Sequence, residues 1–530
     1  MLSILLLGLG VLQPTMAFSS GGPVRTGEPG GVRSATELSW DARSVEHLYN
    51  RAGFGASPAW VARGVELGPE AIVDELLADA PPVPFRSHSI GSTMEQRRLR
   101  DLSEDERREE RRRIRRDDRE QLVAFLEWWV ERILSSDRVL EERMVLFWHG
   151  HFPSSQQDVQ KSHEMIQQQM LFRQHALGSF RDLVNGIARD PAMLEYLDND
   201  SNRKGKPNEN FARELLELFT LGEGNYEEDD IKDVARAFTG WTDRDGAFFF
   251  ARRQHDNGQK RIFGKRGAFG GEDVLELVLA REQCSRFLAG ELLAYFEGVV
   301  PDERRVKRYA KLLRKKDYEV RPFLRELFLD PEFYSERVVG ARIASPIDLL
   351  AGIARRAEVD PPARLVAAGA ALLGERLLFP PSVEGWKGGQ AWITTGSLLM
   401  RANLAGVLVG EVRLRELLER GENDPALDGL GGLAGRALSR LSWTPRGSFA
   451  RALLALEHEG DADLAHGLAS LLLAVEPSPS VLDRVERFLA AERERAGIEP
   501  GRLLDRPSLA EPCLRRTAHF VLSLPEAQLH

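Results

Sequence analysis

Asp198, Asp200, Asn202 and Glu209 occupy positions one, three, five and twelve of one short segment. Alternate side chains of such a loop converge, and a final Glu can close on a hard cation with both oxygens. The spacing therefore predicts a divalent-cation site, for calcium or magnesium. One position departs from the pattern: the sixth is Arg203, where the sharp turn wants glycine, and Gly205 comes two residues late. A second reading needs no ion. Asn208 stands where a helix N-cap belongs, and Glu209 suits the positive end of the helix dipole. Asp198, Asp200 and Asn202 can bond the amides of their own turn, with Arg203, Lys204 and Lys206 as countercharge.

The helix expected next carries an apolar stripe of Phe211, Leu215, Leu218 and Phe219. Arg213 lies four residues from both Glu209 and Glu217, which fits a buried ion network. The same spacing admits Glu214 or Glu217 as a general acid or base raised by burial, with Asn208, Asn210 and Arg213 as ligand contacts. Two carboxyls drawn from Asp198, Asp200, Glu209, Glu214 and Glu217 would suit a hydrolase, including a glycosidic one.

His151 and His255 are further catalytic candidates. His151 continues the face of Phe147 and Trp148, as a core histidine with a satisfied hydrogen bond does. His255, beside Asp256, is expected at an exposed hairpin tip, either facing a cleft or serving the turn. Trp386 and Trp392 sit in the loop Gly385-Trp386-Lys387-Gly388-Gly389-Gln390-Ala391-Trp392. Exposed indoles stack on sugars and other flat ligands; the alternative is a loop buried by its own tryptophans. No phosphate loop, dinucleotide fingerprint, G-x-S-x-G elbow or H-E-x-x-H helix occurs, which removes the common nucleotide enzymes, serine hydrolases and zinc peptidases.

These residues sit in a chain of 530 with 72 basic and 81 acidic side chains, a net charge of −9. Hydrophobic residues make up 42% and charged ones 29%, ordinary for a globular body with a sizeable core. Mild acidity argues against nucleic acid as partner, and two cysteines exclude a disulfide scaffold. Leu2–Leu12 is apolar and too short to span a bilayer comfortably. With Pro14 and Thr15-Met16-Ala17 it reads as a signal peptide over 1–17, lacking a basic n-region. Export to the periplasm, cell surface or medium follows, with no membrane span in the mature chain. Gly, Pro and Ser then mark a flexible linker over 18–36.

Helical periodicity dominates the rest. The expected class is all-α: a multi-helix globular array over 37–405, one small β-hairpin, and a C-terminal helical subdomain over 406–530. The hairpin is placed with Phe248–Phe250 and Arg261–Phe263 flanking an Asn257-Gly258 turn. Residues 95–120 form a charged helical insertion with eleven Arg against ten acids. Interleaved signs at helical spacing mean a solvated helix laced with i,i+4 pairs.

Several segments resemble an uncharacterised bacterial family, domain of unknown function 1800. They are His47-Leu48-Tyr49-Asn50-Arg51-Ala52-Gly53-Phe54-Gly55, Phe147-Trp148-His149-Gly150-His151-Phe152, Tyr196–Gly205, Pro207–Leu215, Phe238-Thr239-Gly240-Trp241, His255-Asp256 and Gly385–Ile393. They keep the family's order over about 45–405, with a weaker echo near Phe520 to Gln528. Departures are the arginine-rich insertion and Glu227-Glu228, where a Thr cap is usual. The resemblance brings no established activity. It implies export, and a partner from a second uncharacterised family of exported proteins resembling phosphatases and sulfatases. The expected function is thus an exported helical protein whose polar loop–helix site binds a cation or a small polar ligand beside such a partner. A carboxylate-dependent hydrolase and a purely structural assembly protein are the alternatives.

Overall fold

The computed structural model describes residues 38–91, 98–421, 438–439, 441, 443–454 and 460–530. The expected signal peptide, the linker and residues 95–97 of the charged insertion lie outside them. The described residues are mostly helical, with two small antiparallel hairpins.

Among the described residues the helix Glu104–Ser135 is the longest, at 32 residues. Its length follows from the sequence: no Gly or Pro interrupts it, and Glu and Arg are strong helix formers. Ser103 starts it with a capping box, its main-chain N–H donating to the Glu106 carboxylate at 3.0 Å. The first half is charged and solvated. From Leu122 onward Phe125, Trp129, Val130 and Ile133 are buried, so the second half lies against the body.

The next helix, Val139–His151, is buried on nearly every side. Such burial makes it a central strut, and its charges must be paired. Glu142 is held between Arg132 and Arg173. Arg143 meets Asp348 at 2.6 Å and donates to the Gly53 main-chain oxygen at 2.9 Å. Arg342 takes the other Asp348 oxygen at 2.9 Å. Arg143 and Arg342 hold the Asp348 carboxyl well below the usual carboxylate range although it is fully buried. The first resembling segment ends in the same knot: Arg51 donates to the oxygens of Val338 (2.7 Å) and His530 (2.9 Å), and His47 bonds the Phe333 oxygen at 3.0 Å. Those residues serve packing.

The hairpins differ from expectation. Strands β1 (Trp241–Arg244) and β2 (Ala247–Phe250) pair with each other, and β3 (Lys260–Ile262) pairs with β4 (Lys265–Gly267). The turns are Asp245-Gly246 and Phe263-Gly264, all four at positive φ, as a two-residue turn between right-twisted strands requires. Asn257-Gly258 is no hairpin turn; it lies in the link between the two, where Gly258 N–H bonds Asp256.

Glu37–His530 form one compact unit. In its last part, Phe520 of the helix Pro507–Leu522 stacks on Phe488 at 4.4 Å. The final residues return to the centre, where His530 N–H donates to the Arg342 oxygen at 2.7 Å. Cys284 and Cys513 are free and buried, and burial pushes the Cys284 thiol up to about 12. Among the described residues no helix is long and apolar enough to cross a membrane.

Candidate functional site

The loop turns the amides of Asn199 and Asn202 inward and leaves its acids and bases at the surface. Asp198 adopts a left-handed backbone (φ 56°) and a short turn, Asn199–Ser201, follows it. Asn202 is buried, and its carboxamide bonds at both ends. Nδ2 donates to Asn199 Oδ1 (3.0 Å) and the Ala235 oxygen (2.9 Å), and Oδ1 accepts from Asn208 N–H (3.0 Å). The loop is thereby fixed to the helix Glu228–Ala237. Asn208 caps Asn210 N–H at 3.0 Å and donates to the Asp198 oxygen. Asp198 and Asp200 stay exposed, and Glu209 leans to Arg213 at 3.6 Å. The expected cation set of Asp198, Asp200, Asn202 and Glu209 therefore does not converge, because Asn202 is consumed by the fold. Among the described residues no three His, Cys, Asp or Glu side chains are grouped to hold a metal. Arg213 is half-exposed rather than buried, and it pairs with Glu228 at 2.7 Å, not Glu217.

Beside this loop lies a group that sequence spacing did not join. Lys161 bridges Glu195 at 2.5 Å and Glu164 at 3.1 Å. Burial pushes the Glu164 carboxyl up to about 8, against the pull of Lys161.

The helix that follows changes pitch. Asn210–Glu214 is α-helical and Leu215–Thr220 is π-helical, with Leu221 N–H reaching back to Leu216. Glu214 is half-buried and raised, first by burial and then by Glu217. Glu217 accepts from the Tyr226 hydroxyl at 2.5 Å. The widened turn leaves the Phe219 oxygen unclaimed within the helix, and His151 Nε2 fills it at 3.0 Å. His151 stacks on Phe147, and burial lowers its ring to about 4, so it is neutral. Among the described residues its Nδ1 bonds to nothing.

His255 is a correction. It is buried, not exposed at a tip; Nδ1 donates to the Thr239 oxygen at 2.8 Å, and the ring meets Phe250. Asp256 is paired with Arg236 at 2.9 Å, which holds it down to about 2.

An open space that joins several of the expected residues lies elsewhere. A cavity of about 720 Å³ is bordered by His151, Tyr295, Arg342, Glu375 and the loop from Glu384 to Trp392. That loop reaches the central helix because Gly385 sits at φ 70°, and a Cβ there would be 2.6 Å from the Gly150 oxygen. Trp386 meets the ring of His149 edge-on at 5.3 Å. His149 is buried and lowered to about 3, and its Nε2 accepts Leu378 N–H at 3.1 Å. Leu378 is itself buried at φ 65°, a strained backbone pinned by His149 and by Gln156 N–H. Trp392 is buried, whereas Trp386 is half-buried at the cavity. The loop is thus partly its own packing and partly a wall.

Three carboxyls share the cavity. Glu375 accepts Ile347 N–H at 2.8 Å in the first turn of the helix Pro346–Arg356; burial, and then Asp348, push it to about 7. Glu291 is exposed, has no partner among the described residues, and is raised by desolvation alone. Glu384 is exposed beside the tryptophans. Sequence reasoning missed all three. The loop motif pointed to their neighbourhood, since Glu375 and Glu384 precede Trp386 by eleven and two residues; Glu291 carried no signal. Of the expected site residues, the cavity joins His151, Trp386 and Trp392. Asp198, Asp200, Asn202, Asn208, Glu209, Asn210, Arg213, Glu214, Glu217 and His255 do not line it.

No match was found among curated proteins or among solved structures. A family match is found, and it spans residues 47–529, taking in the last helices as well as the segments quoted above. The chain belongs to the family described as Protein of unknown function (DUF1800).

Proposed function

We propose that this chain is an exported ligand-binding protein whose cavity takes a hydroxyl-rich, ring-bearing ligand of sugar type. The observation that carries the reading is that the half-buried Trp386 lines one cavity of about 720 Å³ together with Glu291, Glu375 and Glu384. That volume suits a small-molecule site. An indole face packs on the apolar side of a sugar ring, and carboxylates accept from its hydroxyls. The neutral His151 offers Nδ1 as one more acceptor. Export rests on the leader-like first residues, and a phosphatase- or sulfatase-like exported partner rests on the family resemblance.

Screening the protein on an array of neutral, amino and acidic sugars tests the site. Binding that disappears in Trp386→Ala supports it; no binder, or one indifferent to that change, overturns it. A second reading is glycosidic hydrolysis. It is favoured by two cavity carboxyls whose surroundings differ, Glu375 near neutrality beside a helix N-terminus and Glu291 without a partner. Turnover of aryl glycosides that is lost in both Glu375→Gln and Glu291→Gln would select it; binding without turnover would remove it.

A further inference from the structure

We infer that the outward face of the long charged helix is a self-association surface, on which a second copy of this chain docks antiparallel through four ion pairs.

The solvated half of Glu104–Ser135 has two distinct sides. Arg107, Glu110, Ile114, Asp117, Asp118 and Gln121 are half-buried and recur at helical spacing. Asp118 accepts Ser162 N–H at 2.8 Å, and Gln121 donates to the Ser162 hydroxyl at 2.9 Å, so this side rests on the body. Half a turn away, Asp105, Glu109, Arg112 and Arg116 form one exposed stripe, spaced four, three and four residues apart. Asp105, Glu109 and Arg112 have no ion pair or hydrogen bond among the described residues. Arg116 reaches only Asp117, at 3.6 Å. Of the flanking arginines, Arg108 pairs with Glu104 and Arg113 with Glu110, whereas Arg111, Arg115 and Arg119 lie exposed along one side of the stripe.

The stripe reads acid, acid, base, base, and it is its own complement about a point between residues 110 and 111. A second copy running the other way sets Asp105 against Arg116 and Glu109 against Arg112, each pair occurring twice across a two-fold axis. A parallel copy would set like charge on like. The four residues of the stripe carry no net charge. Order of charge, not amount, selects the partner. The interface is polar and small, hence weak and sensitive to salt.

Sedimentation velocity of the purified full chain over a concentration series tests this. Expected is a dimer at about 20 mM salt whose dissociation constant rises at least tenfold at about 500 mM, as the screening length shortens. Asp105→Arg with Glu109→Arg, and separately Arg112→Glu with Arg116→Glu, should each give a monomer at low salt with unchanged helicity. Mixing the two double variants in equal amounts should restore the dimer, because every facing pair is again opposite in sign. A wild type that stays monomeric at low salt at the highest concentration overturns the inference without any variant. So does a dimer that neither double variant weakens, or a mixture that stays monomeric.

Discussion

Nε2 of His151 donates to the main-chain oxygen of Phe219 across 3.0 Å, so a ring at the end of the central helix closes a π-helical turn from a distant part of the chain. His151→Phe keeps the ring volume and removes the donor. Leaving that carbonyl unpaired in the core should cost about 1–3 kcal/mol in urea unfolding. The difference should shrink as pH falls from about 7 to about 4. The wild-type ring is held near 4 when folded but titrates near 6.5 when unfolded, so only the wild type loses stability to proton uptake by the unfolded chain in that window.

Glu375 gives the opposite sign. Its folded carboxyl is raised to about 7 from 4.5, so between those values the folded state holds the proton more tightly. The contribution of Glu375 to wild-type stability should therefore fall as pH rises through that range, by roughly 3 kcal/mol in all. Glu375→Gln removes this slope. Denaturation at pH 5 and pH 8 should show the variant gaining on the wild type at the higher pH, and an unchanging gap would refute the assignment.

Two glycines of the tryptophan loop should behave differently. Gly385→Ala meets the Gly150 oxygen and is strained in its backbone as well. It should lift the loop, cost about 2 kcal/mol or more, and red-shift the indole emission as Trp386 gains water. Gly388 also has positive φ but nothing within 4 Å of a Cβ. Gly388→Ala should cost about 1 kcal/mol and leave the emission alone.

Asn202→Ala removes three hydrogen bonds from a buried carboxamide and should cost about 2–4 kcal/mol by thermal or urea unfolding. Calcium or magnesium should leave the wild-type Tm unchanged. A rise that saturates with added ion would restore the cation reading of this loop.

The helical class was legible because apolar periodicity is local: the stripe through Leu122, Phe125, Trp129 and Ile133 is visible in one window and is the buried face of its helix. The hairpins were misplaced because Asn257-Gly258 is the stronger turn dipeptide, while Asp245-Gly246 and Phe263-Gly264 close the strands. Asn202 reads as a ligand by spacing, yet its partners Ala235 and Asn208 flank it in space, and no count of residues reveals that. Glu291 belongs to a helix with an ordinary pattern. Its cavity is walled by segments far apart in the chain, Gly150 and the loop after Gly385 among them, and such an assembly leaves no mark in a local window.

Cys284 and Cys513 are sealed apart with no bond between them, so the folded body takes no strength from an oxidant. Dithiothreitol should leave its melting behaviour untouched, and a reducing host can supply it without a refolding step. The same seclusion makes each sulfur a clock: a thiol-specific dye can react only when the surrounding helices part, and its labelling rate then times those openings.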